Sequence, residues 1–311
     1  MSLRKKKFYR GFLNRYQYSK PALKYLIEDL RYSLVWTIWT LTANLRGDSV
    51  RRILTFPHLP SKKSSIYRLA MRKKMILTNR PRGPFNTIIF WEYATQRADQ
   101  KKLDEIIKKP NFEGPKKILN YNSIDIGKLA IDRAFLEIFG YSTAVDPLSW
   151  TDKLVVKSDK NATHDGKIVE GPLPQKNIEP DKIYQRLIDN SVDSERVLDY
   201  RTPVVGGDVP FVLKKFRHKK VRFTNDTELV EKEATKDVFT KDELQNIQLF
   251  CEKICLDFGE LDILRDNHSK KIYIVDVNNT PQSPPAGTRK KLSDEILKEL
   301  DAIMVLKGFW S

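Results

Sequence analysis

Cysteine is nearly absent from this sequence: Cys251 and Cys255 are the only two in 311 residues. A pair four apart on one helix face builds no disulfide framework, and two soft ligands alone leave a zinc site incomplete. Both are expected to be reduced core residues of a cytosolic protein. Long apolar runs are missing as well. The best candidate, residues 34–45 (LVWTIWTLTANL), is shorter than the roughly 18 residues that a bilayer span requires. The basic N-terminus lacks the apolar core and small-residue cleavage site of a secretory signal, and no nucleophile motif around Ser or Cys occurs.

Acidic residues are scarce in one region only. Residues 1–80 carry 19 Lys or Arg against Glu28, Asp29 and Asp48, a balance of +16, whereas the rest of the chain holds 37 of each sign. The whole net charge of +16 therefore resides in the first quarter. Charge confined in this way to one end of the chain points to a separate segment over residues 1–82. Its start interleaves Arg4, Lys5, Lys6 and Lys7 with Phe8, Tyr9, Phe12, Tyr16 and Tyr18, a pattern that suits an anionic membrane surface, an acidic polymer or, as the weakest of the three, nucleic acid. Leu34, Ile38, Leu41 and Leu45 form one helical stripe, which fits either a membrane interface or ordinary packing. Pro57, Pro60, Pro81 and Pro84 are expected to break the remainder into short helices and turns.

Downstream the pattern changes. Residues 86–91 and 116–121 read as strands and residues 123–138 as a helix with Leu129, Ile131, Phe135, Leu136 and Ile138 on its apolar positions, closed by Gly140. This is the outline of a small parallel-sheet unit over 83–150, in which Asn120 and Lys128 are by residue type alone surface residues. Residues 153–157 form a strand ending in Lys157, followed by a polar loop with Gly166, which can close over phosphates. Residues 182–188, 196–205 and 209–217 read as further strands. Thr240 and Glu243 carry the capping-box signature of a helix, and a last helix begins near Ser293.

The segment 259–285 (GELDILRDNHSKKIYIVDVNNTPQSPP) reads as a hairpin. Asp276 and Asn278 lie two apart and leave one face of a strand, and Asp262 can face them from the neighbouring strand. Two carboxylates and an amide oxygen suit Mg²⁺ completed by water and substrate phosphates. By spacing alone, an acidic hairpin merely facing water is an equal alternative.

This hairpin, together with motifs in order back to Lys157, resembles the ATP-grasp superfamily, and most closely the branch of ligases that add glutamate to ribosomal protein tails. The middle ligand is Asp276 where that family usually has Glu, one methylene shorter. The resemblance implies an α/β (α+β) ATP-grasp fold over 151–311, with a central lobe over 151–225 and a metal-binding lobe over 226–311. It is preceded by a parallel-sheet pre-ATP-grasp domain over 83–150 and a basic, mainly helical N-terminal extension. The resemblance also implies that Asn120 and Lys128 stand near the substrate-contacting loop of that domain. It implies ATP and Mg²⁺ as cofactors, with Asp262, Asp276 and Asn278 holding the metal and Lys157 and Gly166 at the phosphates. Gln185, Arg186, Leu187 and Ile188 would read the adenine edge through their backbone, and Asp193, Asp189 or Glu195 would take the ribose. Arg201 of the Asp199-x-Arg201 motif, Lys215, Arg217 and Arg222 of Arg222-x-x-Asn225 would steady an acyl phosphate, since arginine forks bind carboxylate or phosphoryl oxygens in bidentate fashion.

The implied activity is an ATP-dependent carboxylate–amine ligase that releases ADP. The basic segment suggests a cell-surface polysaccharide, glycolipid or peptide precursor as acceptor and a cytoplasmic protein peripheral to the membrane. A kinase acting on a hydroxyl uses the same metals and lysines. A non-catalytic ATP sensor that binds lipid or nucleic acid is the alternative of another class.

Overall fold

The structure, a computed structural model, describes residues 34–43, 45–46, 50–82, 84–109, 112, 114, 117–161, 163–224, 226–285 and 288–310. The cation–aromatic block before residue 34 and Asn225 lie outside them. The chain divides into two compact units, one within residues 1–92 and 99–118, the other formed by 93–98 and 119–311.

In the first unit, β1 (Arg52–Pro57), α1 (Ser65–Arg72) and β2 (Ile76–Thr78) make a parallel β-α-β unit, and β3 (Thr87–Trp91) pairs with β1, also in parallel. Residues 52–78, expected as helices and turns, thus contribute two strands. The Ile53–Leu54 core of β1 is short, but it is fully buried. The sheet runs β2-β1-β3-β4, where β4 is Ile118–Leu119. All five residues of β3 are buried, as the interior strand of a parallel sheet requires. Ser64 caps α1 by accepting the Tyr67 N–H, and Ile66, Leu69 and Ala70 turn one face inward. A helix not anticipated, α2 (Gln100–Ile107), precedes β4.

The second unit holds two antiparallel sheets. The smaller has order β6-β5-β7, from β5 (Lys153–Ser158), β6 (Lys167–Glu170) and β7 (Lys182–Arg186). The larger has order β10-β9-β8-β11-β12, from β8 (Arg196–Val205), β9 (Val212–His218), β10 (Leu229–Glu233), β11 (Phe258–Arg265) and β12 (Ile272–Asn278). One face of this sheet gives Val204, Val212, Leu261, Ile263 and Val277 to a core shared with Ile131 and Phe135 of α3 (Lys128–Phe139) and with Ile247, Phe250 and Cys251 of α5 (Lys241–Lys253). A short α4 (Thr235–Val238) precedes α5, and α6 (Lys290–Leu306) ends the described chain.

Four expectations change here. Helix α3 begins at Lys128 rather than at 123, because Asn120 takes a left-handed turn (φ 57°) and its fully buried side chain bonds the backbone of Asp257 and Phe258. Asn120 therefore ties two chain segments together and does not face a substrate. Leu129 and Leu136 of α3 are half exposed. Cys251 is buried, but Cys255 lies past the end of α5 at φ 54° and is exposed. Gly140 closes α3 at φ 75° as expected, a conformation that costs glycine little.

Both halves of the expected capping box are present: Thr240 Oγ1 accepts the Glu243 N–H, and Glu243 accepts the Thr240 N–H. Replacing Thr240 with Ala removes one of these bonds at an exposed helix end. Denaturant unfolding should show a loss of about 1 kcal/mol.

Candidate functional site

The face of the larger sheet opposite the core is lined with charge. In the cross-strand register Arg201 on β8 stands beside Asp262 on β11, Asp262 beside Asp276 on β12, Glu260 beside Asn278, and Asp199 beside Lys215 on β9. Residues directly opposite share a face, so the predicted metal residues and two of the predicted basic residues, Arg201 and Lys215, share one surface.

A register shift makes this possible. Asp262 pairs with Asp276, whereas the next residue, Ile263, pairs with Ile274, leaving Val275 as the extra residue of a bulge. In an unbroken strand Ile272, Ile274, Asp276 and Asn278 would all leave one side. The bulge lets Ile272 and Ile274 enter the core while Asp276 and Asn278 face the charges.

Arg201 is the hub. Its Nε and Nη2 donate to the two oxygens of Asp262 at 3.0 Å each, and its Nη1 lies 3.5 Å from Glu260. Burial pushes the Asp262 carboxyl up, but Arg201 and Lys215 outweigh it and hold the group well below the ordinary carboxylate range. Burial likewise disfavours the Arg201 charge, and Asp262 and Glu260 reverse the balance. Glu260 and Asp276 go the other way, raised by burial. Asp276 Oδ1 has no hydrogen-bond partner among the described residues. Asn278 Oδ1 accepts from the Thr280 N–H at 3.0 Å.

Two lysines approach this surface without an ion pair or hydrogen bond among the described residues. Lys215 is almost fully buried, and its ammonium is pushed down to about 8 by burial, against the pull of Asp262. Lys157, at the end of β5, is pushed down to about 8 by burial and by Lys128, with Asp276 opposing. Lys128 opens α3 and donates to the carbonyls of Lys160 and Asp159 at 2.7 and 3.5 Å. Lys157, Lys128 and Asp276 thus bring the smaller sheet, the helix and the larger sheet to one place.

The remaining predicted residues have partners of their own. Arg217 is buried in an ion pair with Asp199 at 3.1 Å and donates to the carbonyls of Arg222 and Thr224. Arg222 donates to Asn190 Oδ1 and the Ile188 carbonyl at 2.9 and 3.3 Å. Both arginines are thus held by protein partners. Gly166 packs against the Phe223 ring, where an added Cβ would come within 2.7 Å, and Asp165 beside it binds Lys182 and Ser158, so the loop is anchored. The Gln185 amide donates to Thr143 Oγ1, the Arg186 N–H to the Thr143 carbonyl and the Leu187 N–H to the Lys153 carbonyl. The expected adenine-reading N–H groups of Arg186 and Leu187 are therefore engaged within the sheet. The Arg186 guanidinium stacks over Trp150 and Tyr273, and Ile188 is core.

Asp193 is held down to about 2 by Arg196 and by the N–H groups of Glu195 and Arg196. It lines an open cavity of about 880 Å³ with Glu195, Arg196, His218 and Glu228, and none of the residues around Asp276 is among those lining it. Asp189 accepts from the Ser191 N–H and faces His268 at 3.5 Å.

Glu260 and Lys128 belong to the cluster, yet sequence reasoning set Lys128 at a neighbouring loop and passed over Glu260. The signal for Glu260 was present, since it lies two residues before Asp262 and shares its strand face.

No protein-family model matches the chain, and no curated protein matches it. Among solved structures it is similar to a D-alanine–D-alanine ligase from Bacillus anthracis complexed with ATP, with a TM-score of 0.51 and 15% identity over 84% of this chain and 99% of that one. A complex of the ATP-grasp ligase PsnB with a precursor variant, Mg and ADP gives a TM-score of 0.47 at 10% identity over 82% of this chain and 99% of that one. A Rhizobium etli pyruvate carboxylase gives 0.45 at 12% identity over 76% of this chain, which spans 26% of that protein's length. The chain has the ATP-grasp fold.

The two depressed ammonium groups make a measurable prediction. In the unfolded chain a lysine releases its proton near pH 10.4. Between about 8 and 10.4 the unfolded state therefore binds more protons at Lys157 and Lys215, and their contribution to stability rises with pH. NMR titration of the lysine side chains should show two amines with midpoints near 8, each removed by the corresponding Lys→Met substitution.

Proposed function

We propose that this protein is an ATP-dependent, ADP-forming carboxylate–amine ligase. The observation that carries the reading is one charged sheet face on which Lys157 approaches Asp276 at one side and Lys215 approaches Asp262 from β9 at the other. Among the described residues Arg201, Asp262, Asp199 and Arg217 are paired on this surface, whereas these two ammonium groups make no ion pair and Asp276 Oδ1 accepts no hydrogen bond. Buried, uncompensated groups of both signs are costly unless a ligand satisfies them, and a nucleotide phosphate with a divalent cation would satisfy both.

Asp276 Oδ1 fits a cation directly. Asp262 has both oxygens in the Arg201 fork but retains lone pairs, whereas Asn278 Oδ1 accepts from both the N–H and the hydroxyl of Thr280, so the hydroxyl would have to turn away for a cation to be bound there. Among the described residues no group of three or more His, Cys, Asp or Glu side chains could hold a metal ion, so phosphate oxygens and water would have to complete the shell. Bound there, Mg²⁺ would neutralise phosphate charge.

The chain's own residues then have these roles. Lys157 faces the transferring phosphoryl group from the smaller sheet, and Lys215 faces it from β9. Arg201 keeps Asp262 ionised and oriented. Arg217 and Arg222 fix β9 and the loop beneath it and do not touch substrate. A carboxylate oxygen attacks the γ-phosphorus as ADP leaves; an amine then attacks the acyl carbon, loses a proton and displaces phosphate. Such chemistry relies on positioning and on charges already in place, which accords with the absence of a nucleophile motif. The glutamate-ligase branch is the finer reading, supported by the order of the motifs from Lys157 to Asn278. A polysaccharide, glycolipid or peptide precursor remains the proposed acceptor class.

Incubation with ATP, Mg²⁺, a panel of carboxylates and hydroxylamine should yield a hydroxamate with equimolar ADP. Lys157→Ala and Asp276→Asn should each lower kcat/KM about 10²-fold or more. A phosphorylated hydroxyl product without hydroxamate would instead assign a kinase, and no turnover with any acceptor would remove both enzymatic readings.

A further inference from the structure

The helical stretch over residues 34–43 and 45 has two unlike faces. Val35, Trp36, Trp39, Thr40 and Ala43 are half-buried. Leu34, Ile38, Leu41 and Leu45 are 61%, 49%, 57% and 87% exposed. At 100° per residue those four fall within an arc of about 60°, so the solvent side of this helix carries a continuous aliphatic stripe. No Lys, Arg, Asp or Glu occurs between residues 34 and 45. An exposed helix face is ordinarily polar, and scattered single leucines need no explanation, but an ordered stripe does.

The charge of the unit that carries the stripe selects its occupant. Arg46 follows it directly and is exposed, as are Lys62, Lys63, Arg72, Lys74 and Arg80 of the same unit. Residues 1–80 hold the whole +16 excess. A second copy of this chain would bring the same strong positive charge to the contact, which opposes self-association. A polyanion such as RNA or an acidic polysaccharide would satisfy the charge but leave the leucines in water. An anionic lipid surface meets both demands, because its headgroups attract the cations and its acyl boundary accepts the aliphatic side chains. Among the described residues no helix is long and apolar enough to cross a membrane, so the geometry is that of a helix lying in the interface.

We infer that residues 34–45 are an interfacial helix by which this protein docks on an anionic membrane. The stripe carries the contact, and Trp36 and Trp39 lie on its other side. This inference does not rest on the ligase reading. The ligase reading concerns residues 128–278, and its failure would leave the docking helix unchanged.

The test is sedimentation of the full chain with vesicles of phosphatidylcholine alone and with about a third phosphatidylglycerol, at low and high salt. Binding to the anionic vesicles is expected, weakening as salt screens the cations and falling about tenfold or more in Ile38→Glu/Leu41→Glu. Thermal unfolding of that double variant should match the parent. If it does not fold, Ile38→Ser/Leu41→Ser is read on the same terms. Equal binding to neutral vesicles, no binding to either, or binding that neither double variant weakens overturns the proposal. So does a concentration-dependent dimer, or capture of RNA or an acidic polysaccharide, in the absence of vesicle binding.

Discussion

The charged face of the larger sheet depends on one arginine. Asp262 and Asp276 are direct cross-strand neighbours, and Glu260 is next along β11 on the same face. Side chains in that relation stand about 5 Å apart. Two ionised carboxylates at that separation repel by about 3 kcal/mol at an effective dielectric constant of 20, before the cost of burial is added. Arg201, one strand over on β8, makes the arrangement tenable: its fork closes on Asp262 while Nη1 lies against Glu260. A lysine would supply the charge but not two parallel bonds. With Asp262 neutralised by Arg201, Asp276 and Glu260 carry the remaining cost, and both are shifted toward the protonated form.

A second layer of pairing supports the first. Arg217 and Asp199 are paired beneath Lys215, and Arg222 ties the β9 side of the site to Asn190 and Ile188. Asp262, Arg201, Asp199 and Arg217 therefore alternate in sign across β11, β8 and β9. Lys215 sits among them as an additional positive charge, and its proton is easier to lose because burial, with Arg201 and Arg217 nearby, outweighs the pull of Asp262 and Asp199. The surface is rigid where ions are paired and uncompensated at Lys157, Lys215 and Asp276, where a ligand would be received.

Much of this architecture was legible in the residues. The capping box at Thr240 and Glu243, the left-handed Gly140 and the hairpin of β11 and β12 follow from local chemistry, because each is decided by residues within a few positions of one another. The bulge at Val275 was not legible. Only the core on one side and the charges on the other require it, and both depend on strands and helices distant in sequence. The same holds for Arg217 and Arg222. As residue types they suit a phosphoryl group, but their structural partners, Asp199, Asn190 and backbone carbonyls, come from other parts of the chain. Residues 52–78 were misread for a different reason. Prolines nearby suggested turns, whereas β1 accommodates Pro57 as its last residue and buries Ile53 and Leu54.

The proposed site departs from the usual pairing of buried charges. Elsewhere buried polar groups such as Asn120 bond several partners, and ion pairs such as Arg265 with Glu243 close on each other at 2.7 Å. On the charged sheet face the described residues instead leave an Asp276 oxygen without a hydrogen bond and Lys157 and Lys215 without an ion pair. Replacing these with apolar residues would relieve the free protein, since removing an uncompensated buried charge commonly stabilises a fold. Their presence against that gradient is the physical argument for a ligand bearing both signs of charge. A polyphosphate carrying a divalent cation has that composition, whereas a simple anion would answer the lysines and leave Asp276 worse off than before.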